Sequence, residues 1–248
     1  MQKIAFKNSR GKNIVGVIHK ANSKRCVIIS HGFTACKDRE RFVKLAESLS
    51  RERITALRFD FSGCGESDND YITVKSQVDD LRSAIKYMKT QGYKEIGLWG
   101  ESLGGLVSLK AFDGSIICMV VCAPVTDSRK PSIEKEIVKT NENTSERGRE
   151  FIIHKDGREF KITKDYFDER ECVDQNKLLS IVECPVLIIQ GDKDTTIPKE
   201  MSESAIKKLN KQSKLCILKG ADHKFKGHEQ KVIELSLSWF KDHLASAS

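Results

Sequence analysis

The chain has 248 residues, 39% of them hydrophobic, enough for a large core built as one large or two small domains. Its net charge of +8 comes from 43 basic residues interspersed with 35 acidic ones, and only 7% of residues are aromatic. With no compact Lys/Arg tract, nucleic-acid binding is disfavoured, and the basic balance favours anionic substrates or membrane surfaces only weakly.

Taken in order, the elements begin with a hairpin-like pair, Lys3 to Lys7 and Asn13 to His19. Short β-branched runs then alternate with helical segments, which signals a parallel sheet covered on both faces. Cys26 to Ile29 reads as a strand, Arg41 to Leu49 as a helix, and Ile54 to Phe61 as the next strand. Val74, Val78, Leu81, Ile85 and Met88 alternate steps of four and three and mark one buried helical face. Residues 95–100 read as a buried strand, with Leu103, Leu106, Val107 and Leu109 as the apolar face of the helix behind it. Ile116 to Val121, Pro185 to Ile189 and Leu215 to Leu218 are further strands, and a last helix carries Val232, Ile233, Leu235, Trp239 and Phe240.

Between Pro124 and Cys184 the rhythm breaks, and the chain becomes polar and charged. This segment reads as an inserted cap, with a solvated loop as the alternative. It offers a short helix bearing Ile133 and Ile137, then a polar stretch from Lys139 to Glu150. A hairpin follows, Phe151 to Lys155 and Arg158 to Ile162, around Asp156-Gly157, a dipeptide suited to a type I′ turn. Tyr166, the one tyrosine of the cap, either contacts substrate or packs the cap onto the core.

Cys26, Cys118, Cys122, Cys184 and Cys216 fall in the apolar runs, and no C-x-x-C pair exists. Buried free thiols are therefore expected, not a disulfide framework or metal ligands. Met1-Gln2-Lys3-Ile4 does not open a signal peptide, and no run approaches bilayer-spanning length. A cytoplasmic protein without stable membrane insertion is the expectation. Residues 245–248, Ala-Ser-Ala-Ser, are set outside the fold as a tail.

The chemistry is concentrated at Gly100-Glu101-Ser102-Leu103-Gly104, a G-x-S-x-G between strand and helix. Glycines on either side permit a tight turn that exposes the Ser102 hydroxyl, the context of a nucleophile elbow; an ordinary helix-capping serine is the plainer reading. A serine hydroxyl becomes nucleophilic when an imidazole takes its proton and a carboxylate orients that imidazole. Downstream, Gly191-Asp192-Lys193-Asp194 and Asp222-His223 each follow a strand, at the carboxyl edge where open α/β sheets bind ligands.

Five blocks carry a family resemblance: His31-Gly32-Phe33-Thr34, Arg58 to Ser67, the turn at Gly100 to Gly105, Gly191 to Pro198, and Gly220 to Phe225. Together they resemble the α/β-hydrolases of serine-esterase type, and are most similar to bacterial and archaeal esterases that include the cinnamoyl (feruloyl) esterases. The resemblance implies an α/β-hydrolase fold, with a mostly parallel eight-stranded sheet, helices on both faces and a small inserted cap. Residues 1–125 and 181–244 would form the core and 126–180 the cap.

Matched position by position, the resemblance puts the nucleophile on Ser102, the acid on Asp194 in preference to Asp192, the base on His223, and the oxyanion-hole amides on Phe33 and Leu103. His228 is the reserve candidate for the base. His31, Asp60, Cys64 and Asp222 receive structural roles, and Glu101 departs from the histidine or glutamine common beside the family's serine. The implied activity is hydrolysis of small-molecule carboxylic esters, with short-chain or aromatic acyl groups, and it needs no metal or organic cofactor. A thioesterase, monoacylglycerol lipase or peptidase using the same three residues is the alternative, and a non-catalytic binding protein is a third. Oligomerisation through edge strands or the cap is left open.

Overall fold

Runs of β-branched residues set the strands of the computed structural model, which describes residues 1–128, 150–155 and 157–244. β1 (Gln2–Lys7) and β2 (Asn13–His19) pair antiparallel, and β2 pairs antiparallel with β4 (Thr55–Phe59). From there β3 (Arg25–Ser30), β6 (Glu95–Glu101), β7 (Ile116–Cys122), β10 (Val186–Gly191) and β11 (Lys214–Leu218) are all parallel. The order is β1-β2-β4-β3-β6-β7-β10-β11, an eight-stranded sheet as the sequence implied.

Helices cover both faces because successive side chains of each central strand point to opposite sides. Val27 and Ile29 of β3 pack with Phe42, Leu45 and Leu49 of α1 (Glu40–Arg51) and with Val232, Ile233 and Phe240 of α7 (Glu229–His243). Cys26 and Ile28 join the opposite layer, with Leu81 and Ile85 of α2 (Val74–Thr90), Leu106 of α3 (Leu103–Lys110) and Met201 of α6 (Lys199–Ile206). Burying each such large apolar side chain contributes about 1.5–3 kcal/mol. The start of α2 is fixed by a capping box, in which Thr73 Oγ1 accepts from Ser76 N–H and Ser76 Oγ accepts from Thr73 N–H.

A second, three-stranded sheet extends from the loop before α2. The hairpin β8 (Glu150–Lys155) and β9 (Arg158–Thr163) stands as read from the sequence, with Gly157 at φ +71°. Asp156, and the helix expected around Ile133 and Ile137, lie outside the described residues. β9 also pairs in parallel with β5 (Tyr71–Ile72), a two-residue strand absent from the sequence reading. α4 (Lys164–Glu171) and α5 (Gln175–Ser180) follow.

Two expectations are corrected. The strand expected to run to Phe61 ends at Phe59, because Asp60 turns its carboxylate to accept from Lys37 N and Nζ and from Glu66 N. Cys216 is only partly buried, whereas Cys26, Cys118, Cys122 and Cys184 are buried; all eight cysteines are free. Among the described residues no helix is long and apolar enough to cross a membrane.

Candidate active site

β6 delivers Ser102 to the carboxyl edge of the sheet, and the chain turns there into α3. Ser102 has φ +53° and ψ −115°, a strained conformation for a residue with a Cβ. Its N–H donates to the Cys122 carbonyl (2.8 Å), and its carbonyl accepts from Gly105 N–H and Val125 N–H. The flanking glycines are obligatory on space alone. A Cβ at Gly100 would lie 2.3 Å from the Gly104 carbonyl oxygen, and one at Gly104 would lie 2.5 Å from the carbonyl oxygens of both Ser30 and His31. The backbone is therefore pinned, while Ser102 stays partly exposed.

The loop after β3 is pressed against this turn, since a Cβ on Gly32 would lie 3.4 Å from Ser102 Cβ. Phe33 and Leu103 thus border the serine through their backbones. Among the described residues neither N–H has an acceptor, and Leu103 sits at the first position of α3, where no helical acceptor exists. The Phe33 ring stacks on Tyr166 at 5.0 Å, and Lys155 Nζ donates to Thr34 Oγ1 (2.9 Å), so α4 and the β8–β9 hairpin both hold this loop. Tyr166 is itself 2% exposed, packed on Phe33 and Phe167, which favours the anchoring role of the two weighed for it.

His223 and Asp194 meet. His223 Nδ1 lies 2.8 Å from Asp194 Oδ2, with the Asp194 side chain fully buried and the His223 ring partly open. Asp194 is fixed by three other donors: Thr196 N–H and Ile197 N–H on Oδ1 (both 2.8 Å), and Gln190 Nε2 on Oδ2 (3.0 Å). Gln190 is held in turn by Ser202 Oγ, which donates to its Oε1 (2.8 Å). The rival acid, Asp192, instead accepts from Gly220 N–H and braces the loop leading to His223. Asp222 orders the same loop by accepting from Lys226 N–H. His228 turns both ring nitrogens toward backbone carbonyls, those of Lys226 and Lys219.

Glu101 and Arg41 join the two halves of the site. Glu101, directly before Ser102, is buried and forms an ion pair with Arg41 Nη2, while Arg41 Nη1 donates to the carbonyl of Lys224 (2.6 Å), directly after His223. Sequence reasoning missed Arg41, whose partners lie 60 and 183 residues away, and Gln190, whose amide joins Asp194 and Ser202 to the carbonyls of Gly191 and Ile197. No motif carries either signal. Among the described residues no group of three or more His, Cys, Asp or Glu side chains could hold a metal ion.

His31 is buried and structural. Its Nε2 accepts from Phe61 N–H (3.1 Å) and its Nδ1 lies 2.8 Å from the Gly32 carbonyl, so only a neutral ring with the proton on Nδ1 satisfies both. Burial lowers its pKa from the usual value, and burial lowers that of His19, which accepts from Arg58 Nε, in the same sense. An unfolded histidine takes a proton below about pH 6.5 while these folded rings resist it, so their contribution is present above that pH and lost as pH falls beneath it. Urea unfolding at pH 7.5 and 5.5 should show stability dropping toward the acid side, with His31 contributing a slope of up to about 1.4 kcal/mol per pH unit. A flat profile would contradict the neutral, buried ring.

Residues 69–247 match the model of the prolyl oligopeptidase family. A 31.7 kDa protein of Escherichia coli, in the traX–finO intergenic region, is 24% identical over 269 residues, covering 88% of this chain and 91% of that protein. Est1E from Butyrivibrio proteoclasticus, solved with bound ferulic acid, superposes with a TM-score of 0.82 at 23% identity, covering 98% of this chain and 100% of that one. The α/β hydrolase GrgF from Penicillium sp. superposes with a TM-score of 0.81 at 22% identity, covering 99% of both chains. At such identities the likeness establishes the fold, and this chain has the α/β-hydrolase fold that its five sequence blocks implied by resemblance.

Proposed function

The chain belongs to the prolyl oligopeptidase family, and from that premise we propose that it is a serine hydrolase cleaving carboxylic esters through an acyl-enzyme on Ser102. The observation that carries the proposal is the buried Asp194 carboxylate on His223 Nδ1, at the same sheet edge as a strained, partly exposed serine. A carboxylate only accepts hydrogen bonds, so Nδ1 carries the proton and Nε2 keeps its lone pair for Ser102.

In this mechanism Ser102 Oγ attacks the ester carbonyl while His223 Nε2 takes its proton. The unused N–H groups of Phe33 and Leu103 receive the oxyanion, each such donor being worth about 3 kcal/mol in comparable sites. Collapse of the tetrahedral intermediate breaks the carbonyl carbon–alkoxy bond, and the alcohol leaves with the proton held by His223. Water then repeats the sequence on the acyl-enzyme, with His223 as its base, releasing the acid and free Ser102. No step calls on a metal or organic cofactor.

For substrate, we take short-chain or aromatic acyl esters of the hydroxycinnamoyl type as the first reading, supported by the whole-chain likeness to a structure holding ferulic acid. Residues 126–180 are proposed as a cap, whose described part is held to the core by the Phe33–Tyr166 stack. The test is kcat/KM on one panel: p-nitrophenyl acetate to laurate, methyl ferulate, an acyl-CoA and a prolyl p-nitroanilide, with Ser102→Ala as the blank. A maximum at acetate or methyl ferulate supports this reading. A maximum at laurate, thioester or anilide replaces it with a lipase, thioesterase or peptidase, and no Ser102-dependent turnover leaves a binding protein on the same fold.

A further inference from the structure

We propose that Arg41 is a positioning residue for the reaction assigned above to Ser102 and His223, tying the nucleophile turn to the loop that carries the base. The inference rests on that assignment and adds a residue that touches neither the substrate nor the reacting atoms. One guanidinium serves two sequence-distant places: Nη2 pairs with Glu101, one residue before Ser102, and Nη1 donates to the Lys224 carbonyl, one residue after His223. Its plane also lies over the ring of Phe225, 5.5 Å from the centroid. Phe225 is fully buried and holds φ +54°, a left-handed conformation that a bulky residue adopts only under constraint from its surroundings. The base loop is thus strained, and Arg41 is a clamp on that strain.

A purely structural account fits the same atoms poorly. Arg41 sits in α1 beside Phe42 and Leu45, in an apolar layer where a buried ion pair is commonly replaced by well-packed hydrophobic residues at no cost in stability. Among the described residues its own Nε is also buried without a partner. What the planar fork provides, and an apolar side chain or a lysine does not, is two hydrogen bonds diverging in fixed directions. Those directions run to the two segments whose relative placement sets the distance between Ser102 Oγ and His223 Nε2. A misplacement of about 1 Å between reacting groups can cost on the order of 100-fold in rate. Arg39, with Nη1 3.8 Å from Glu101, shares the carboxylate, but among the described residues it makes no hydrogen bond to the base loop.

The test measures kcat and KM for p-nitrophenyl acetate, with Tm, in Arg41→Lys, in Arg41→Met and in the double variant Arg41→Met/Glu101→Gln. The double variant removes both charges together, so no lone buried carboxylate remains to unfold the protein. It should keep the wild-type Tm within a few degrees while kcat falls about 10- to 100-fold and KM stays within about twofold. Arg41→Lys should keep its fold and remain well below wild-type kcat, because one ammonium cannot span both acceptors. A double variant with wild-type kcat, or one in which KM rises and kcat holds, overturns the proposal. Absence of Ser102-dependent turnover in the unsubstituted protein would instead overturn the underlying assignment, and this inference with it.

Discussion

Replacing Ser102 with alanine is expected to lower kcat by at least about 10⁴-fold while the protein stays folded. The expected loss is large because the hydroxyl is the only group at the turn that can form the acyl bond. Binding and oxyanion stabilisation can sustain only a small residual rate without it. The fold should not notice, since what holds the turn is backbone: Ser102 N–H on Cys122, and its carbonyl receiving Gly105 and Val125. Among the described residues the hydroxyl makes no hydrogen bond whose loss would register, and alanine meets the same φ +53° that serine already tolerates. Turnover with a Tm control decides the matter, and a variant retaining more than a tenth of the activity would remove Ser102 from the chemistry.

Asp194→Asn should be nearly as damaging, about 10³- to 10⁴-fold in kcat, by a different route. Oδ1 of Asp194 accepts two backbone N–H groups that cannot turn away, those of Thr196 and Ile197. The asparagine oxygen must therefore stay there, which points its NH₂ at His223 Nδ1 and at Gln190 Nε2. His223 then accepts on Nδ1 and carries its proton on Nε2, the tautomer that cannot take a proton from serine. The opposed donors at Gln190 add a buried mismatch of about 1–3 kcal/mol, visible as a lowered urea midpoint. A merely few-fold loss of kcat would show that Asp194 does not set the tautomer.

What the sequence revealed and what it withheld divide along the range of the forces involved. β3, β6, β7 and β10 announce themselves because a strand covered on both faces must be apolar throughout, and Val27 to Ile29 or Met119 to Val121 satisfy that locally. The candidates Ser102, Asp194 and His223 stand out in the sequence because each follows a strand at a glycine or a short motif, and the folded chain pairs the last two. β5 does not stand out, for two residues carry no period, and its pairing with β9 joins positions about ninety residues apart. Arg41 was invisible for the same reason: on α1 it reads as one more charge on a polar helix start. Only the folded chain brings Glu101 and Lys224 to its two ends. The early end of β4 is similar, since the apolar pattern runs on to Phe61 while the Asp60 carboxylate is drawn off by Lys37, a partner 23 residues back.

The stack of Phe33 on Tyr166 has a consequence for protein engineering. Exchanging the segment between β7 and β10 with that of a relative is an obvious route to new selectivity, yet a crossover that takes α4 along would strip the Tyr166 ring from the loop that carries Phe33. Chimeras joined ahead of Thr163 keep Tyr166 with Phe33 as one heritable unit, and a traded hairpin must still bring an ammonium to Thr34 Oγ1 where Lys155 now donates.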